Sequence, residues 1–377
     1  MFQRMNWLAL SLILATPFVL ANSLEEELIA AATEVAAEVE AESYADLIDG
    51  DEVFEGLFTF YRDSETGETT MRLDPEQFEK EYIYFIHIAD GVVDAGSFRG
   101  AYGPRFVFTF ERRFDEVAII RENTAFYFDP DNAISRAAEA NISRAVLAVQ
   151  SIEAEDEETG AVLIETDSLF LSESLTQLSP SSDPDADPRR QFTVGGFDAD
   201  RSQITAIRSY PLNTDVEVEY VFHNPKPLVY GSDAVTDPRN ISVKALHSLI
   251  EMPDNDYQPR FADARLGSFD QRITDLTSTE SAPYRDVINR WHLVKKDPSA
   301  ALSDPVEPIT WWIENTTPVE WRPVIEAAAI EWNKAFEKAG FTNAVAVKTQ
   351  PDDADWDAGD LRYNCLLYTS PSPRDRG

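Results

Sequence analysis

The chain has 377 residues, 43% of them hydrophobic, so it can bury a sizeable core and general disorder is excluded. Its formal charge of −36, from 68 Asp and Glu against 32 Lys and Arg, argues against nucleic acid and anionic membrane surfaces as partners, because phosphates would be repelled. Cys365 is the only cysteine, which excludes an internal disulfide, Cys/His metal clusters and thiol catalysis.

The first residues, MFQRMNWLALSLILATPFVLANS, have the three parts of a secretory signal. Arg4 lies in a short leading region, an apolar core runs from Trp7 to Thr16, and Pro17 breaks the helix before small side chains at Val19 and Ala21. Cleavage is expected after Ala21, making residues 1–21 a signal peptide and the mature protein secreted or periplasmic. The apolar run is too short for a stable membrane anchor, and Glu25, Glu26 and Glu27 follow it where a stop signal would be basic.

Residues 22–52 read as an acidic amphipathic helix or linker. Ser23 and Glu26 form a capping box, and Leu24, Leu28, Ala32, Val35 and Val39 recur at helical spacing. Residues 53–304 read as a β-rich region of one or two domains. FEGLFTFYRD and TTMRL flank a Ser64 to Gly67 turn, EYIYFIHIAD alternates large apolar residues, and RFVFTFERR pairs with EVAIIREN. After Asp129 to Asn132 the period becomes helical, through Ile134, Ile142, Ala145, Val146 and Val149. More strands follow in GAVLIETDSLFL, QITAIRSYPL and VEVEYVFHN, with SPSSDPDADP as an exposed loop.

Beyond Asp304-Pro305 a strand at Ile309 to Glu314 leads into a helix starting at Thr317 and Pro318. Trp321, Ile325, Ala328, Ala329, Trp332 and Phe336 form its buried stripe, and Gly340 stops it. A strand at Ala344 to Lys348, an acidic loop and the start of a strand at Leu361 follow. The expected fold class is therefore α+β: a β-rich N-terminal region with one or two helices, then strand, helix, strand, strand as the start of an incomplete α/β domain over residues 305–364.

Candidate chemistry is sparse. His87, His223, His247 and His292 are far apart, none has zinc-ligand spacing, and each reads as a satisfied structural histidine. No nucleophile elbow, phosphate loop or dinucleotide fingerprint occurs. Asp352 to Asp360 alternates carboxylates on a tight loop, a weak pattern for calcium and more simply a solvated turn. The polar loop from Asp254 to Arg265 is the densest unusual text; it reads as an internally paired Arg/Asp brace, with a functional loop as the sharper alternative.

Several of these blocks are similar to one known family. MPDNDYQPRFADARLGSF, APYRDVINRWHLVKKDP, SDPVEPITWWIENTTPVEWRPVIEAAAIEWNKAFEKAGF and QPDDADWDAGDLRYN, with ISRAAEANISRAVLAVQSIEAE and LFLSESLTQLSP upstream, resemble exported bacterial zinc-dependent metalloproteases. In that family, domains of unknown function precede a metzincin-type catalytic domain. The resemblance implies peptide hydrolysis by a zinc-activated water, zinc as cofactor of the full-length parent, and a protein or peptide substrate. It also implies an HExxHxxGxxH motif lying after Asn364, so no catalytic, cofactor-binding or metal-binding residue transfers to a position here. The rival expectation is an exported, non-catalytic, β-rich binding or scaffolding protein.

The last segment, residues 365–377, differs in composition from all that precedes it. CLLYTSPSPRD back-translates to a sequence resembling the transposase adapter of short-read libraries, so these residues are expected to be an adapter read in frame, with the genuine chain cut before its zinc motif.

Overall fold

A computed structural model of the chain describes residues 43–138, 140–179, 187 and 189–367. The expected signal peptide, all but the end of the acidic helix, and residues 368–377 of the tail lie outside the described residues. The chain divides into two units between Asp49 and Gly50. The described part of the first is a single helical turn, α1 (Tyr44–Leu47), started by a capping box in which Ser43 Oγ accepts from the Asp46 N–H at 3.3 Å.

The second unit is built on one antiparallel sheet of eleven strands. They are β1 (Glu52–Phe54), β2 (Thr59–Arg62), β3 (Thr69–Leu73), β4 (Tyr82–Asp90), β5 (Tyr102–Arg113) and β6 (Glu116–Arg121). After the two-residue β7 (Phe126–Tyr127) come β8 (Ala145–Glu155), β9 (Val162–Glu165), β10 (Gly196–Ser209), β11 (Asn213–His223) and β12 (Asn240–Glu251). Their spatial order is β1-β2-β3-β9-β8-β6-β5-β4-β12-β11-β10. Strict alternation explains which face turns inward: along β4, Tyr82, Tyr84, Ile86 and Ile88 are buried while the residues between them are not. The enclosed core is strongly aromatic, with the rings of Phe58 and Tyr82 5.0 Å apart and those of Tyr84 and Phe106 stacked at 4.6 Å.

The sheet curls almost shut, and its two edges meet through a seam rather than a ladder. Leu57 N–H donates to the Tyr210 carbonyl at 2.7 Å, Ser209 Oγ donates to the Phe58 carbonyl at 2.7 Å, and Thr214 Oγ1 accepts from Phe58 N–H at 3.2 Å. Backbone groups that an open edge would leave unpaired are thereby satisfied. A short helix, α2 (Asp167–Phe170), buries Leu169 and Phe170 in the core.

The remaining strands are small. β13 (Asp270–Gln271) pairs with β15 (Val287–Ile288), and β14 (Thr274–Asp275) pairs in parallel with β7. The strands β16 (Ile309–Ile313), β17 (Val345–Thr349) and β18 (Asn364–Leu366) form a three-stranded parallel sheet in the order β17-β16-β18. Two short helices, α3 (Arg322–Ile330) and α4 (Asn333–Lys338), lie between β16 and β17 in the chain.

This architecture corrects the expected α+β class. Strand accounts for 37% and helix for 11% of the described residues, and the dominant element is the nearly closed antiparallel sheet, not a strand-helix α/β metzincin-like domain. Two local misreadings contribute. The segment expected to be helical after Asn132 holds only a 3-10 turn, Ala133–Ala137, and then β8, which pairs with β6 and β9. An apolar run of Ala and Val fits a period of two as readily as one of 3.6, and two waiting strand partners decide between them. The expected buried stripe is also not buried: Trp321 is 51% and Trp332 65% exposed, because α3 packs only on β16 and β17, and even Ile325, Ala329 and Phe336 are only partly covered.

Candidate functional site

The four histidines do not converge. His247 is 1% exposed and fully satisfied: Tyr220 Oη donates to the Phe170 carbonyl at 2.7 Å, so it accepts from His247 Nε2–H at 2.8 Å, and Tyr84 Oη donates to Nδ1 at 2.8 Å. Burial pushes its pKa down to about 3, keeping it neutral, and pushes the Tyr84 and Tyr220 phenols upward. His223 Nδ1 meets Asn240 and Arg201, and His292 Nε2 meets Asp256 Oδ1 at 2.8 Å. His87 is half-buried, and burial lowers its pKa as well. Among the described residues no three His, Cys, Asp or Glu side chains are placed to hold a metal ion, so these residues do not fit a zinc site.

The Asp-rich loop docks on the sheet. Tyr210 Oη donates to Asp357 Oδ1 at 2.6 Å, and the Asn213 amide donates to the Gly359 carbonyl at 3.0 Å while accepting from Leu361 N–H at 3.1 Å. The approach is so close that a Cβ on Gly359 would sit 2.9 Å from Tyr210 Oη and 3.2 Å from Asp215 Oδ2. Asp215 lies buried beneath this clasp, and burial raises its pKa. Asp360, fully buried, is held by the Arg362 guanidinium at 2.6 Å.

The polar loop singled out in the sequence is internally paired. Asp263 receives Arg265 at 2.5 Å, which together with the Arg265 N–H pulls its pKa down to about 2. Arg290 donates to the Gln258 carbonyl and lies 4.4 Å from the Tyr257 ring centre. Just downstream, Arg285 sits 3.8 Å over the ring of Tyr127, so this region supports the segment that carries β7.

That segment walls an open cleft on the sheet. It runs from the end of β6 to the start of β8, and with β5 and β6 it encloses a cleft of about 680 Å3. Glu79, Glu81 and Glu122 form the acidic part of its lining, and Phe126, Phe128, Ile142 and Val146 the apolar part. A second hollow of about 380 Å3 shares Glu122 and Asn123 with the first and is lined by Arg105 and Arg121. The two hollows adjoin at Glu122 and Asn123 to make a groove, with Glu79, Glu81 and also Arg144 lining the first part and Arg105 and Arg121 the second. Backbone pairing sets this up: Glu122 N–H donates to the Val107 carbonyl at 2.9 Å, and Glu79 N–H to the Phe110 carbonyl at 3.0 Å. Glu79 sits at φ +58, a left-handed conformation that turns the chain from the 3-10 turn at Pro75–Gln77 into β4.

None of these groove residues stands out in the sequence. The one visible signal is two arginines, Arg105 and Arg121, at the ends of apolar strands in an acid-rich chain.

The fold and groove define a β-sheet domain with an open groove lined by charges of both signs. The chain belongs to the family described as Domain of unknown function (DUF5117), whose model matches residues 100–296, more than half of its length. Arg105, Arg121, Glu122 and Arg144 fall inside the match; Glu79 and Glu81 precede it. No curated protein and no solved structure matches the chain.

Proposed function

We propose that this chain is the N-terminal, substrate-handling part of an exported zinc-dependent metalloendopeptidase, secreted or periplasmic, that hydrolyses peptide bonds. The observation that carries the reading is the set of long sequence blocks, Met252 to Phe269 and Ala282 to Pro298 among them, that resemble that class of enzyme. Zinc, when bound, supplies an activated water for the hydrolysis. The described residues of this chain do not fit the metal, so their contribution is binding: a groove large enough for several residues of an extended peptide, carried on a rigid sheet. Export rests on the signal sequence; among the described residues no helix is long and apolar enough to cross a membrane.

One observation favours a second reading, an exported binding or scaffolding protein without peptidase activity: the described residues form an open groove, and none of them is clustered to hold a metal ion. The two separate in one experiment. The protein encoded by the complete reading frame is purified, its zinc content measured, and casein cleavage followed with and without a chelator. The peptidase reading expects about one zinc per chain and chelator-sensitive cleavage. Absence of both overturns it and leaves the binding protein.

A further inference from the structure

The groove keeps its opposite charges apart. Among the described residues Arg105 and Arg121 at one end, and Glu79 and Glu81 at the other, form no ion pair, although nearby Arg144 pairs with both Glu111 and Glu122. In a chain with 68 acidic and 32 basic residues, two arginines lining one hollow without a carboxylate partner are charges left for something else. Arg121 is held in place by the Phe106 ring, 4.8 Å from its guanidinium carbon. The hollow that holds the two glutamates also exposes apolar surface, with Phe126 38% and Val146 51% exposed, beside the paired Arg144. Asn123 commits its Oδ1 to Ala125 N–H at 3.0 Å and retains its amide N–H groups as donors.

We infer that this groove binds a short zwitterionic peptide, its terminal ammonium against Glu79 and Glu81 and its terminal carboxylate against Arg105 and Arg121. The length follows from register. Glu79 bonds to Phe110 and Arg105 lies five positions earlier on β5, so the two poles are about 17 Å apart along the strand at ~3.3 Å per residue. Extended chain covers ~3.3–3.6 Å per residue, so with the reach of the arginine and glutamate side chains the match is a peptide of about three to five residues. A long polypeptide or a polyamine would present only one of the two charges. The choice of peptides as the ligand class rests on the peptidase reading; the two charged poles do not.

The test is isothermal titration calorimetry on the chain with free tetra-alanine, its N-acetylated form and its C-amidated form. Free tetra-alanine is expected to bind, and blocking either end to weaken binding by about tenfold or more. The double substitution E79Q and E81Q should abolish the difference made by acetylation, and R105A should reduce the difference made by amidation. No binding of free tetra-alanine, or equal affinity for all three peptides, overturns the inference. Casein cleavage by the full-length protein with no peptide binding here would remove the groove and leave the peptidase. Peptide binding here with no zinc or cleavage there would do the reverse.

Discussion

A methyl group placed on Gly56 would lie 2.3 Å from Ser209 Oγ and 2.6 Å from both the Ser209 carbonyl carbon and the Tyr210 nitrogen. This is where the first and last strands of the sheet come together, and the close approach leaves no room for a side chain.

Gly56→Ala should therefore push the seam apart and destabilise the protein by about 1–3 kcal/mol, read as a fall in Tm. Gly267→Ala is the control, since nothing lies within 4 Å of its Cβ position and its backbone is not left-handed. Equal Tm values for the two variants would show that the seam does not hold the sheet closed.

His247 makes stability depend on pH. Its folded pKa, about 3, lies below the ordinary 6.5, so the unfolded chain takes up a proton that the folded chain refuses. Stability is complete above pH 6.5 and is lost as pH falls toward 3, at up to about 1.4 kcal/mol per pH unit from this one group. In urea unfolding at pH 7, 5 and 4, His247→Gln should show a shallower acid slope than the parent by up to one proton. Parallel slopes would mean that His247 is protonated in the folded state.

The two tyrosines that hold His247 should not be equivalent. Tyr84→Phe removes only the donor to Nδ1 and should cost about 1–2 kcal/mol. Tyr220→Phe strands both Nε2–H and the Phe170 carbonyl and should cost more, about 2–4 kcal/mol. Equal costs measured by urea unfolding would contradict the assigned direction of the hydrogen-bond chain.

Asn213 fastens the Asp-rich loop to the sheet through Gly359 and Leu361. Asn213→Ala should loosen that loop first, raising amide exchange over residues 352–363 by about tenfold while β4 and β12 keep their protection. Uniform loss of protection would place Asn213 in the global core instead.

The strands of the sheet were legible wherever large apolar residues alternate, as in Tyr82 to Ile88, because burying one face of a pleated strand requires that pattern. β8 was not, since its small apolar residues satisfy two periods. The buried stripe of α3 and α4 was misread because periodicity marks an apolar face without saying how much surface will cover it. The satisfied state of His247 was readable as a prior, but its partners were not: Tyr84 is 163 residues away in the chain.

By itself, the sequence determined composition, charge and the alternating strands, because each of these is a property of residues read along the chain. Only the tertiary structure decided that the strands join into one nearly closed sheet, that Gly56 faces Ser209, and that Glu79, Arg105, Arg121 and Glu122 line a single groove. Those depend on strand order and register, which pairing across distant segments settles and no local pattern encodes.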